Sequence, residues 1–159
     1  IIVHTSEVSW NENLSLFSKY SNIKFGGYIS HDNMINIMLN YDILLHVESF
    51  DESVKNYTRY SIATKIPEYL STGILILAIG PPDIASIKYL KDNEAAIMIT
   101  DLRNDALISK QLKNIEKQSI RKKFLENANE LFIKNHLKSE QSLKLARILL
   151  DACNMSQNK

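Results

Sequence analysis

Residues 59–78 read RYSIATKIPEYLSTGILILA, and the side chains with chemistry to offer are gathered at the start of this stretch. Arg59 brings a guanidinium, Ser61 and Thr64 bring hydroxyls, Lys65 an ammonium and Glu68 a carboxylate. A guanidinium clamps phosphate oxygens in a bidentate way, and a cationic lysine beside the free N–H groups of a helix start suits an anion. A carboxylate accepts hydrogen bonds from sugar hydroxyls. Together these are the groups that hold a phosphorylated sugar. Each also has an ordinary structural reading. Lys65 can be a plain surface lysine, and a glutamate in the first turn of a helix gains about 0.3–1 kcal/mol from the helix dipole without any ligand.

The elements that would position them follow from the same stretch. Pro67 fits a first helical turn, where its missing N–H would be unpaired anyway, and Gly73 can take the left-handed turn past the helix end. The run Ile74-Leu75-Ile76-Leu77-Ala78-Ile79 has the continuous apolar character of a parallel strand buried on both faces. The reading is loop, short helix, buried strand.

The same alternation extends along the chain. Residues 1–3 read as a strand and 4–7 as its turn, with His4 there taken as a turn residue rather than a ligand. Leu14, Phe17 and Tyr20 space a helix over 10–20. A second strand over 23–25 ends in Gly26-Gly27, which permits positive φ and close backbone approach. Ser30 or Asp32 caps a helix with Met34, Ile37, Met38 and Tyr41 on one face, a core stripe. Residues 43–47 form a third strand, followed by a long loop with Glu48, Asp51 and Glu52. After the organising stretch, Gly80-Pro81-Pro82-Asp83 makes a turn, with Asp83 as cap for a helix carrying Ile84, Ile87 and Leu90. Residues 95–99 give a fifth strand, and the pattern is helical from Asn104 on. Arg121-Lys122-Lys123 reads as a solvated helix face.

This order predicts an α/β fold: a Rossmann-like, doubly wound parallel sheet with helices on both faces and a helical C-terminus. Ligands of such sheets sit outside the carboxyl ends of the strands, which selects residues 27–30, 48–66 and 80–83.

At 159 residues, 45% hydrophobic and 23% charged, the composition is that of one globular domain, expected to span residues 1–159. A net charge of +1 gives no general field toward nucleic acid, so a nucleic-acid partner is not expected and anion binding must be local. The single cysteine, Cys153, excludes an internal disulfide and fits a reducing compartment. No zinc spacing, Asp-x-Asp triplet, dinucleotide fingerprint, Walker A sequence or nucleophile elbow is present. No apolar run approaches a transmembrane length, and the opening Ile1-Ile2-Val3-His4 reads as the first strand of a domain from a longer protein.

Lys65-Ile66-Pro67-Glu68-Tyr69-Leu70-x-x-Gly73, followed by an apolar strand, resembles the nucleotide-sugar segment in the C-terminal domain of GT-B-fold glycosyltransferases of the group 1 and family 4-like kind. The resemblance implies a donor-binding domain of an enzyme that moves a sugar from a nucleotide-diphosphate sugar to a glycan or lipid-linked acceptor in polysaccharide or glycoconjugate synthesis. It implies that Glu68 holds the ribose hydroxyls, that Arg59, Ser61, Thr64 and Lys65 face the diphosphate, and that Gly27, Tyr28 and Ile29 approach the base. Glu48, Asp51 or Glu52 of the long loop is a candidate contact to the sugar, with Glu48 the one taken. It implies no cofactor and no metal requirement, and places the acceptor site and the usual catalytic base in an N-terminal domain outside this chain. The catalytic residue is therefore unknown, and this chain alone should bind donor without transferring sugar. The full-length enzyme would work in the cytoplasm, with peripheral association at the inner face of the membrane. One departure stands out: family members carry an earlier glutamate where this chain has Tyr60. That keeps open a non-catalytic nucleotide-binding or interaction domain of the same fold. A sugar-nucleotide epimerase would need acid/base residues not evident here, and a flavodoxin-like regulator a phosphoacceptor context not evident either.

Overall fold

The computed structural model describes the backbone of residues 1–157 and the side chains of residues 1–153. In chain order the elements are β1 (Ile2–Val3), α1 (Glu7–Glu12), α2 (Leu14–Phe17), β2 (Lys24–Phe25), α3 (His31–Met38), β3 (Ile43–Val47) and α4 (Glu52–Thr58). They continue with α5 (Lys65–Ser71), β4 (Leu75–Ile79), α6 (Ala85–Asp92), β5 (Ile97–Ile99), α7 (Asp105–Glu116), α8 (Gln118–His136) and α9 (Lys138–Gln157). Two compact units divide between Asn40 and Tyr41.

In the first unit β1 and β2 pair in parallel, with Ile2 opposite Lys24 and Val3 opposite Phe25. Trp10 stacks on Phe17 at 4.8 Å and on Phe25 at 5.1 Å between ring centroids, which gives this small unit its aromatic centre. The helix expected over 10–20 is instead two short ones. Asn13 leaves the helical region at φ −107° and ψ 6°, and its side chain bonds the Ser9 carbonyl. An asparagine that offers its backbone such a local bond ends a helix more readily than it continues one. Of the stripe on α3, Met38 is fully buried and Met34 and Ile37 half-buried.

The second unit carries a parallel sheet in the order β3-β4-β5, with Ile43 to Val47 opposite Leu75 to Ile79 and Leu77 to Ile79 opposite Ile97 to Ile99. Alternation along β4 feeds two cores. On one face Ile76 and Ala78 meet Ile66 and Leu70 of α5, Ile87 and Leu90 of α6, and Ala128 and Leu131 of α8. On the other, Leu75, Leu77, Ile97 and Ile99 meet Ile108 and Ile115 of α7 and Ile120, Phe124 and Leu125 of α8. So α8 contributes to both cores, and helices cover both faces of the sheet, as the sequence predicts for a Rossmann-like fold. Each fully buried Ile or Leu contributes roughly 1.5–3 kcal/mol.

Four further local expectations are corrected. Residues 52–58, read as loop, form α4, because Asp51 caps it by accepting from the Ser53 N–H at 2.8 Å. Most of α4 is exposed, so it shows no apolar period. The helix expected from Pro67 begins two residues earlier, at Lys65, with the proline still inside the first turn where no N–H is needed. Gly73 follows it at φ +68°, as its left-handed turn requires. Asp83 does not cap α6; Ile84 occupies that position and the Asp83 carboxylate faces Arg59. The basic run is not simply a solvated face either. Arg121 donates to the Asp42 and Ile115 carbonyls at 3.3 and 3.4 Å, and Lys123 pairs with Glu94 at 2.7 Å.

Candidate functional site

The carboxyl ends of β3 and β4 carry the segments 48–66 and 80–83, and backbone bonds carry the sheet pairing past the strands. The Glu48 N–H donates to Ile79 O at 2.8 Å and the Gly80 N–H to Ile99 O at 3.1 Å. Gly80 has a steric reason: a Cβ there would lie 2.8 Å from the Glu48 Cβ and 3.0 Å from Ile87. The absence of that methyl lets Glu48 tuck in at the sheet edge.

Behind Glu48 lies His46. It stands opposite Ala78 on the face covered by α5, and its side chain is 8% exposed against 11% for Glu48. Its Nε2 is 3.2 Å from Glu48 Oε1, close enough for an ion pair but off the line of a hydrogen bond. Burial holds the imidazole below its ordinary pKa; Glu48 opposes this, and the charge of Lys65 adds to it. His46 is thus neutral near pH 7. Sequence reading took it for a strand residue, and a lone histidine within an apolar strand gave no reason to do otherwise.

Lys65, the first residue of α5, is exposed, and among the described residues no carboxylate lies within ion-pair distance of it. Thr64 and Ser61 are exposed beside it, and Glu68 is half-buried one turn along. Tyr69, next on the helix, directs its hydroxyl to Leu45 O at 3.4 Å, and burial raises its pKa. The loop before α5 is anchored from below by a residue that the sequence did not single out. The fully buried Ser86 hydroxyl accepts from the Ala63 N–H at 2.9 Å and donates to Ser61 O at 3.2 Å. A serine between Ile84 and Ile87 reads as the polar flank of a helix, and its partners are more than twenty residues away.

Arg59 is engaged. Its Nη2 bonds Asp83 Oδ2 at 2.6 Å, Lys55 Nζ lies 3.5 Å from the same oxygen, and Lys55 also pairs with Glu52 at 2.7 Å. The Arg59 hydrogen bond holds the Asp83 carboxyl below its usual range, and Asp83 in turn raises the guanidinium's pKa. The Arg59 carbonyl accepts from Ala85 N at 2.8 Å, so its side chain ties the end of α4 to the 80–83 turn and its backbone ties it to the start of α6. Tyr60, where a second glutamate was looked for, is 89% exposed. Of the other loop acids, Asp51 serves as the α4 cap and Glu52 as the partner of Lys55.

In the first unit Gly27 takes φ +81°, and its carbonyl lies 3.3 Å from His4 Nδ1. Tyr28 is 76% exposed and Ile29 half-buried, beside a cavity lined by His4, Gly26, Ser30, Asn33 and Asn36. Among the described residues no cluster of three or more His, Cys, Asp or Glu could hold a metal ion, and no helix is long and apolar enough to cross a membrane.

Parallel strands in two small sheets, helices around them, a helical C-terminus and polar loops at the strand ends define a Rossmann-like α/β fold. The fold is similar to that of WaaG, a glycosyltransferase involved in lipopolysaccharide biosynthesis, with a TM-score of 0.52 at 17% sequence identity. That likeness covers 92% of this chain and 36% of WaaG. No family model matches the sequence, and no curated protein matches it.

Proposed function

We propose that this chain is the donor-binding part of a glycosyltransferase that takes its sugar from a nucleotide-diphosphate sugar. The observation that carries the reading is the fold likeness to a glycosyltransferase over 92% of the chain, with the Lys65 loop at the carboxyl end of the sheet, where α/β folds take their ligands. In this reading Lys65 and Arg59, with Ser61 and Thr64, hold the diphosphate. They offset the negative charge that grows on it as the glycosidic bond breaks. Glu68 takes the ribose hydroxyls and Glu48 the sugar. The acceptor, a glycan or lipid-linked molecule, and the catalytic base belong to an N-terminal domain. The chain covers only 36% of its structural neighbour, which accords with a partner domain of that kind. Binding uses no metal or other cofactor, and the full-length enzyme works in the cytoplasm at the inner face of the membrane.

A second reading, a non-catalytic binding domain of the same fold, is favoured by Tyr60 and by the carboxylate that already occupies Arg59. Calorimetric titration with UDP, GDP and UDP-sugars separates the two. The first reading expects binding of about micromolar to millimolar strength, weakened roughly tenfold or more in both Lys65→Ala and Glu68→Ala. No binding of any nucleotide by the unmodified chain overturns it.

A further inference from the structure

A carboxylate beside an anion site is an electrostatic problem, because Glu48 repels the phosphate that Lys65 would attract. The geometry contains a remedy. The Glu48 carboxylate lies 3.2 Å from a buried imidazole, and the ammonium of Lys65, at the start of the helix that covers this face, acts on the same imidazole. Within the second unit, His46 stands opposite Ala78 of β4, Gly80 lies against the Glu48 Cβ, and Tyr69 of α5 directs its hydroxyl to Leu45 O. The charges that act on His46 are those of Glu48 and Lys65. With Lys65 bare, a proton on His46 meets both desolvation and repulsion. An anion on Lys65 removes the repulsion and adds an attraction.

We propose that His46 is a positioning residue for this site, fixing Glu48 at the sheet edge and taking up a proton when a diphosphate neutralises Lys65. The imidazolium then forms a full ion pair with Glu48 and cancels its repulsion, so that one site holds both a sugar-facing carboxylate and a diphosphate. The proton comes from solvent, and no covalent bond changes. By linkage, if ligand raises proton affinity at His46, lower pH must tighten ligand binding.

This inference rests on the donor-site reading above, and two experiments keep the two apart. In calorimetry of UDP in buffers of differing ionisation enthalpy at pH 7.5, the unmodified chain takes up a fraction of a proton per UDP that His46→Gln does not. The unmodified chain also gains roughly threefold or more in affinity between pH 8 and pH 6.5 beyond any gain in His46→Gln. Equal proton uptake in both proteins overturns the inference and leaves the donor site standing. Absence of UDP binding by the unmodified chain overturns the donor-site reading and the inference with it. The second experiment needs no ligand and leaves His46 in place: NMR titration of its ring in Lys65→Met. The His46 midpoint rises relative to the unmodified chain; an unmoved midpoint overturns the coupling.

Discussion

Arg59 is the residue whose sequence-based role and observed partner pull in different directions. Its guanidinium is of the right type for a diphosphate, yet it is bound to Asp83 at 2.6 Å, with Lys55 also within 3.5 Å of that carboxylate. The groups are about 40% exposed, so the pair is solvent-screened and adds little to stability. Its consequence is for binding, since an incoming phosphate must compete with a carboxylate already in place. Asp83→Asn removes the competing charge and keeps the side chain's shape. UDP affinity should rise about two- to fivefold in calorimetry at low salt, and the gain should shrink as salt screens the exposed charges. Unchanged or weaker binding would mean that Asp83 orders Arg59 for some other purpose.

At the scale of elements, α5 and its leading loop hold their place by packing from below. Ile66 and Leu70 are sunk in the core, while Ser86, on α6, grips the loop at Ala63 and Ser61. Removing that hydroxyl orphans a backbone N–H in a poorly hydrated corner, so Ser86→Ala should cost about 1–3 kcal/mol in chemical denaturation. It should also weaken nucleotide binding, because Ser61, Thr64 and Lys65 lose their support. A variant that unfolds and binds like the unmodified chain would show that the loop is held by α5 alone. This contact explains what the sequence could and could not reveal. The strand over 75–79 and the helix before it were legible because a continuous apolar run and a proline-to-glycine frame are local signals. α4 was not, because an exposed helix with one capping aspartate has no apolar period. The Ser86 anchor and the Asp83 ion pair are contacts that only the folded chain brings together, and His46 and Glu48, though two residues apart, gain their significance from burial that only the folded sheet supplies. The candidate residues for phosphate and sugar are thus types that the sequence displays, while the contacts the fold builds around them are not.

For the molecule as a whole, the histidines give stability a direction with pH. Burial depresses His46, with Glu48 opposing and Lys65 assisting, and burial likewise depresses His136, whose Nε2 lies 2.9 Å from the Tyr89 hydroxyl. Asn135 donates to that same hydroxyl at 3.1 Å, so the link between α6 and the end of α8 is a small polar network. A group whose folded pKa lies below its unfolded value of about 6.5 binds its proton more readily in the unfolded chain. The stability it contributes is complete above about pH 6.5 and is lost as pH falls through the folded value. Asp83 and Asp51, both held below the ordinary carboxylate range by hydrogen bonds, act in the same sense but lower, below about pH 4. Thermal unfolding should therefore show a plateau from pH 8 to 7, a first decline as pH falls below about 6.5, and a second in stronger acid. His136→Gln should shallow the first decline without moving the second. Saturating UDP should shallow it too, if the ligand raises the proton affinity of His46 in the folded chain. A midpoint that stays level from pH 8 to 5 would mean that neither histidine is held neutral by the fold.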